Sequence, residues 1–300
     1  MKRLVISITR MTFHNGPGIR TLILLKGCPL RCIWCSTPES QGDAPEIAFY
    51  PDKCILCNDC LPVCPRNAIT TGDKAVVIDR ELCDNCGQCA SVCYTEALRL
   101  FGREYTAGEL VSEVIRDDVV YRHSGGGVTL SGGEPFFRSE YLLTLLKELK
   151  QSGIRCGIDT CGFTARKHIE AVLPYVDFFL WDIKHMNRDK HIEYTGISNE
   201  LILDNVRFVA GENIPLFLRV PVIPGYNDSE DNLLDLCNFA KTLSFLEEID
   251  LLPLHHLGKA RYAALGREYP TDGIPLVKEE KLEEMKRLVE LTGLKCNIIG

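Results

Sequence analysis

Three cysteines crowd the stretch GCPLRCIWC, where Cys28, Cys32 and Cys35 follow an apolar run with the spacing C-x3-C-x2-C. Thiolates held this close are metal ligands first. A structural zinc site takes four ligands from the protein, commonly as two C-x2-C pairs, so three thiolates with no fourth beside them predict a metal centre with one open position. The chain has 15 cysteines in all. Eight of the others fall between Cys54 and Cys93, in two copies of one pattern, CILCNDCLPVCP and CDNCGQCASVCY, each spaced C-x2-C-x2-C-x3-C. The last four, Cys156, Cys161, Cys237 and Cys296, are scattered and read as small buried hydrophobes.

The doubled pattern is that of bacterial two-cluster ferredoxins, in which three thiolates of a tight loop hold one iron–sulfur cube and the fourth reaches its neighbour. By that crossing, Cys54, Cys57, Cys60 and Cys93 are expected on one 4Fe-4S cluster, and Cys83, Cys86, Cys89 and Cys64 on the other. Tyr94 replaces the proline that follows the last cysteine of the first copy; this alters packing without removing a ligand. A pair of four-cysteine zinc knuckles is the competing reading, disfavoured because zinc sites seldom show this doubled tight spacing.

These residues need a scaffold. Outside the cysteine-rich stretch the chain alternates short apolar β-rich runs (RTLILLKGC, GVTLSG, IRCGIDTCG, DFFLWDIK, PLFLRVPVI, EIDLLPLHH) with segments of helical period such as SEYLLTLLKELKQSG and SEDNLLDLCNFAKTLS. Runs buried on both faces belong to parallel sheets, and Ser or Thr caps are expected where several helices start. The fold class is therefore α/β, a full or partial barrel of βα repeats. Three segments follow: 1–46 as the first part of the core, 47–100 as an inserted ferredoxin-like domain, and 101–300 as the rest of the core. In a parallel barrel the carboxyl ends of the strands share one face. There the sequence places Cys28, the glycine-rich turn SGGEP with Gly132, Gly133 and Glu134, the carboxylates Asp159 and Asp182, and Lys184, Arg219 and His255. A three-thiolate cube would leave one iron open to a nitrogen and oxygen donor, and the mixed charges around it suit a zwitterionic amino-acid moiety.

At these residues a resemblance becomes plain. C-x3-C-x2-C after a strand, together with GGEP, resembles the radical S-adenosylmethionine (SAM) superfamily. FHNGPGIRTLILLKGCPLRCIWC, SGGGVTLSGGEP, IDTCGF, WDIKHM, RVPVIPGYND and LLPLHHLGK resemble the glycyl-radical-enzyme activating enzymes over nearly the whole chain. The resemblance implies a partial (β/α)6-type TIM-like barrel and three 4Fe-4S clusters, one of them held by Cys28, Cys32 and Cys35 and chelating SAM. It further implies that Gly132, Gly133 and Glu134 bind the methionine amino end, and that Asp159, Thr160 and Asp182 form a monovalent-cation site. Lys184, Arg219 and His255 fall around the methionyl and ribose parts, with Trp34 near the adenine. The implied activity is reductive cleavage of SAM to methionine and a deoxyadenosyl radical, which abstracts hydrogen from a glycine α-carbon of a partner glycyl radical enzyme. Asn15 departs from the family's DGPGIR, where an aspartate is thought to lie near the bound glycine loop.

Composition narrows the partners. A net charge of −7 provides no basic stripe for phosphates, so nucleic acid is not expected. The basic start MKRLVISITRMTFHN has only a short, interrupted apolar part and reads neither as a signal peptide nor as a membrane span. A reducing, cytoplasmic setting is expected from the cysteine usage, and the resemblance implies an anaerobic one, with a flavodoxin or ferredoxin as electron donor and the chain acting as a monomer. Two alternative functions stand beside the leading one: a radical SAM enzyme with another protein or small-molecule target, and an iron–sulfur electron carrier. The second has no use for GGEP, Arg219 and an open iron.

Overall fold

The computed structural model describes residues 1–299. In chain order the strands are β1 (Lys2–Thr12), β2 (Arg20–Leu25), β3 (Glu46–Phe49), β4 (Ile69–Thr71), β5 (Val76–Ile78), β6 (Leu98–Phe101), β7 (Arg103–Thr106), β8 (Gly127–Gly132), β9 (Cys156–Thr160), β10 (Phe178–Asp182), β11 (Leu216–Val222), β12 (Leu246–Pro253) and β13 (Cys296–Ile298). The α-helices are α1 (Gln88–Val92), α2 (Ala107–Val114), α3 (Asp118–Ser124), α4 (Ser139–Gln151), α5 (Arg166–Val172), α6 (Arg188–Thr195), α7 (Glu200–Ala210), α8 (Glu230–Ala240), α9 (Lys259–Ala264) and α10 (Glu279–Leu291).

One nine-stranded sheet carries the core in the order β13-β12-β11-β10-β9-β8-β2-β1-β7. From β2 to β13 every neighbouring pair is parallel. Helices fill each crossover, so six βα units lead to a short final strand. At the other edge β1 runs antiparallel to β2, and β7 antiparallel to β1. The end strands β13 and β7 are not paired with each other, so the sheet stays open, as a partial barrel requires.

Burial follows from this layering. Phe178, Phe179, Leu180 and Trp181 of β10 are all buried, because helices cover one face of the sheet while the other faces the interior. Helix α4 buries Tyr141, Leu142, Leu145, Leu146 and Leu149, an i, i+3/i+4 stripe whose members contribute about 2 kcal/mol each. Capping is less uniform than the sequence suggests. Ser229 caps α8 by accepting from Asn232 N, whereas Ser139 caps nothing because a 3-10 turn over Pro135–Arg138 runs directly into α4.

The cysteine-rich stretch occupies the first crossover, between β2 and β8. Two antiparallel ladders, β3 with β6 and β4 with β5, enclose a small core of Ile47, Cys60, Ile69, Val76, Cys89 and Leu98. The chain then rejoins the main sheet through β7.

Candidate active site

The carboxyl ends of the parallel strands open into a cleft of about 510 Å³, within the size of small-molecule sites. Cys28, Cys32, Trp34, Cys35, Gly132, Gly133, Asp159, Asp182, Lys184, Arg219 and His255 all line it. Sequence-distant residues meet because β2, β8, β9, β10, β11 and β12 lie side by side and end on one face.

The three-cysteine loop is held by backbone bonds from several directions. Gly27 N donates to Ser40 O at 2.7 Å, Arg31 N to Thr195 O at 2.8 Å and Ile33 N to Tyr194 O at 3.0 Å, so the end of α6 braces it. Burial pushes all three thiols up, Cys32 to about 12. Thiols this resistant to ionisation become thiolates when a metal takes the proton's place. Trp34 packs against Tyr194 and Tyr226, with ring centroids 5.8 and 6.2 Å away.

In the GGEP turn the glycines serve the chain's own backbone as well as the cleft. Gly132 has φ +111°, and a Cβ there would sit 2.2 Å from Leu25 N; one on Gly133 would sit 2.3 Å from Gly27 O. The side chain of Glu134, expected with Gly132 and Gly133 at the amino end of the ligand, is engaged within the protein. It is fully buried, with Oε1 accepting from Thr160 Oγ1 (2.6 Å) and Phe136 N (3.0 Å) and Oε2 from Cys161 N (2.8 Å). Both oxygens are spent on tying the turn to the end of β9. The Thr160 hydroxyl is spent likewise, donating to Glu134 and accepting from Gly162 N.

The charged floor is internally paired. Asp159 accepts from Ser131 Oγ at 2.7 Å and from Arg219 Nη1 at 3.4 Å; burial pushes its carboxyl up against the pull of Arg219. Lys184 Nζ lies 2.8 Å from Asp182. Burial opposes the ammonium charge, but Asp182 and Cys32 together hold the lysine above its ordinary range. Ser131, Cys161 and His14 line the cleft without having been singled out for it. Asp250 on β12 is register-paired with Arg219, 3% exposed, and raised by burial to about 6. The neighbouring His256 is engaged elsewhere, its ring nitrogens facing Tyr269 Oη and Ile274 O at 3.1 and 2.9 Å. Several buried atoms of cleft residues, Asp159 Oδ1, Arg219 Nε and Trp34 Nε1, have no partner within the protein. An acceptor, a donor and an aromatic edge fit a ligand carrying ammonium, carboxylate and a heteroaromatic ring.

The insert holds two smaller cavities. One is lined by Cys64, Cys83, Cys86 and Cys89, the other by Cys54, Cys57, Cys60 and Cys93. Each gathers three cysteines of one repeat with the last cysteine of the other.

Comparison with known proteins accords with both regions. The Radical SAM superfamily profile matches residues 81–237, and the 4Fe-4S dicluster domain matches residues 53–97. The chain is 39% identical to the isethionate sulfite-lyase activating enzyme of Desulfovibrio desulfuricans, over 98% of this chain and 96% of that one. It is 38% identical to the trans-4-hydroxy-L-proline dehydratase activating enzyme of Clostridioides difficile, over 100% of both. A solved domain of the pyruvate-formate lyase-activating enzyme of Bacteroides vulgatus superposes with a TM-score of 0.51 at 32% identity, covering 59% of this chain and 100% of that domain.

Proposed function

Because the chain belongs to the radical SAM superfamily, and within it to the glycyl-radical-enzyme activating enzymes, we propose that it activates a partner glycyl radical enzyme through the cleft described above. The observation that carries this reading is the meeting of Cys28, Cys32 and Cys35 with Asp159, Asp182, Lys184 and Arg219 in one cavity. When bound, the open cluster supplies one electron to SAM, giving methionine and a deoxyadenosyl radical that takes hydrogen from a glycine α-carbon of the partner. Cys28, Cys32 and Cys35 would hold that cluster, which would offer its open position to the amino and carboxylate groups of SAM. The main chain of Gly132 and Gly133 faces the amino end, with Glu134 fixing the turn from behind. Lys184 and Arg219 offer positive charge to the carboxylate and ribose side, His255 closes the rim, and Trp34 bounds the adenine. Burial of the cleft walls keeps water from the radical.

For a monovalent cation, Asp159 Oδ1 is the acceptor left without a partner, while the other groups of the expected site are engaged within the protein. Arg219 and Lys184 already supply the compensating charges, and Glu134 takes the Thr160 hydroxyl. The insert is proposed to carry the two further clusters, with the crossed ligand sets that its cavities favour, and to pass electrons from a flavodoxin or ferredoxin to a monomeric chain. The 39% and 38% identities to activases of a sulfite lyase and of a dehydratase lie too close together to select a partner.

The test is anaerobic reconstitution followed by dithionite and SAM. Methionine and deoxyadenosine are expected from the wild type and neither from Cys32→Ala, which keeps roughly eight iron atoms in the insert. A doublet in the electron paramagnetic resonance (EPR) spectrum of a glycyl radical enzyme would separate this reading from SAM cleavage directed at another target.

A further inference from the structure

The insert and the rear of the three-cysteine loop are joined by a charged network that the activity alone does not call for. Lys26, at the end of β2 and fully buried, donates to Glu39 O and to Glu46 Oε2 at 2.7 Å. Glu46 begins β3, the first strand of the insert; its other oxygen pairs with Arg267, whose Nη1 donates to Pro38 O at 3.0 Å. From between the two cysteine repeats, Arg80 reaches out of the insert to Ala264 O at 2.8 Å, at the end of α9, while also bonding Ile47 O. The start of α9 packs against the cysteine loop, where a Cβ on Gly258 would lie 3.2 Å from Ser36 Cα. The insert and the core are thus joined at Pro38–Glu39, just beyond Cys35, and at α9. A buried ammonium persists only with its partners in place, so the joint is either made or broken.

Resting on the reading that the insert feeds electrons to the SAM-binding cluster, we propose that Lys26, Glu46, Arg267 and Arg80 are positioning residues. They lock the insert's clusters at a fixed separation from the three-cysteine cluster. With the clusters bound, a reduced one-electron carrier protein would lose one electron to an insert cluster, and the three-cysteine cluster would gain it in turn; no proton or bond would change hands. Lys26 and Arg267 meet the chain at Pro38 and Glu39, between residues that line the cleft, whereas Arg80 bonds only Ile47 O and Ala264 O, neither of which lines it.

The test uses the reconstituted full chain as Glu46→Gln and Arg80→Met, with reduced flavodoxin or dithionite as alternative donors. Expected in both variants are wild-type iron content, unchanged SAM cleavage with dithionite, and cleavage with flavodoxin slower by about tenfold, since small misplacements far from the chemistry are costly. In the fully reduced proteins, the EPR broadening from neighbouring clusters should weaken. Equal losses with both donors, no loss with either, or unaltered broadening would overturn the proposal. Wild-type protein that cleaves SAM with neither donor would instead sink the underlying reading. If Glu46→Gln loses iron, Arg80→Met still decides the question, because Arg80 spans the joint through backbone acceptors alone.

Discussion

A carboxylate raised by burial marks a residue that stability alone does not favour. Asp250 sits on the interior face beside Arg219 with Oδ1 unpartnered, and burial raises it to about 6 although Arg219 pulls the other way. The folded state therefore holds this proton more tightly than the unfolded chain. Folding loses stability as pH rises from the ordinary aspartate range through about 6, and the full cost is present above that. Asp250→Asn should stabilise the protein at pH 8 by on the order of 1–3 kcal/mol and bring no gain below pH about 4. Denaturant unfolding of both proteins at the two pH values measures this, and equal stabilities at pH 8 would contradict it. Nothing in DLLPLHH distinguishes this carboxylate from Asp159 or Asp182, because a sequence does not say which strand positions lie deeper than the cleft.

Among elements, the loop between β1 and β2 shows what spacing conveys and what it hides. The HNGPGIR stretch was readable as functional, yet its anchoring was not. His14 O accepts from Arg219 at 3.2 Å, Asn15 O from Thr129 Oγ1 at 2.6 Å and Pro17 O from buried Arg20 at 3.0 Å. The backbone of Asn15 is thus fixed by its carbonyl, and the residue lines the cleft. Asn15→Asp should leave uncoupled SAM cleavage intact and change mainly the glycyl-radical yield, scored as EPR spins per deoxyadenosine formed. A collapse of cleavage without partner would show that the side chain serves SAM. The parallel strands were legible because apolar runs buried on both faces leave no polar alternation. By contrast β1 (KRLVISITRMT) mixes buried and half-exposed positions and went unread as a strand. The directions of Glu134 and Thr160 were likewise hidden, because a turn can present a side chain to ligand or to core and only the partners Phe136 N and Cys161 N decide.

Across the whole molecule, the repeated cysteine spacing marked out the region that the 4Fe-4S dicluster domain matches, since C-x2-C-x2-C-x3-C is a local rule that needs no tertiary information. The joint between insert and core was not legible: Lys26 meets Glu46, and Glu46 meets Arg267 from the far end of the chain, and no periodicity links residues so distant. The crossed ligand sets provide a test at this scale. If Cys64 shares a cluster with Cys83 while Cys54 belongs to the other, then Cys64→Ala/Cys83→Ala removes two ligands from one cube, whereas Cys64→Ala/Cys54→Ala removes one from each. The first double variant leaves one insert cube with only two thiolates and should fall to roughly eight iron atoms, whereas the second leaves each insert cube with three, as many as Cys28, Cys32 and Cys35 provide, and should retain more iron than the first. Iron and sulfide analysis with Mössbauer spectroscopy reads the difference. The opposite order of losses would place Cys64 with its own repeat, and the insert would then hold its clusters side by side without exchanging ligands.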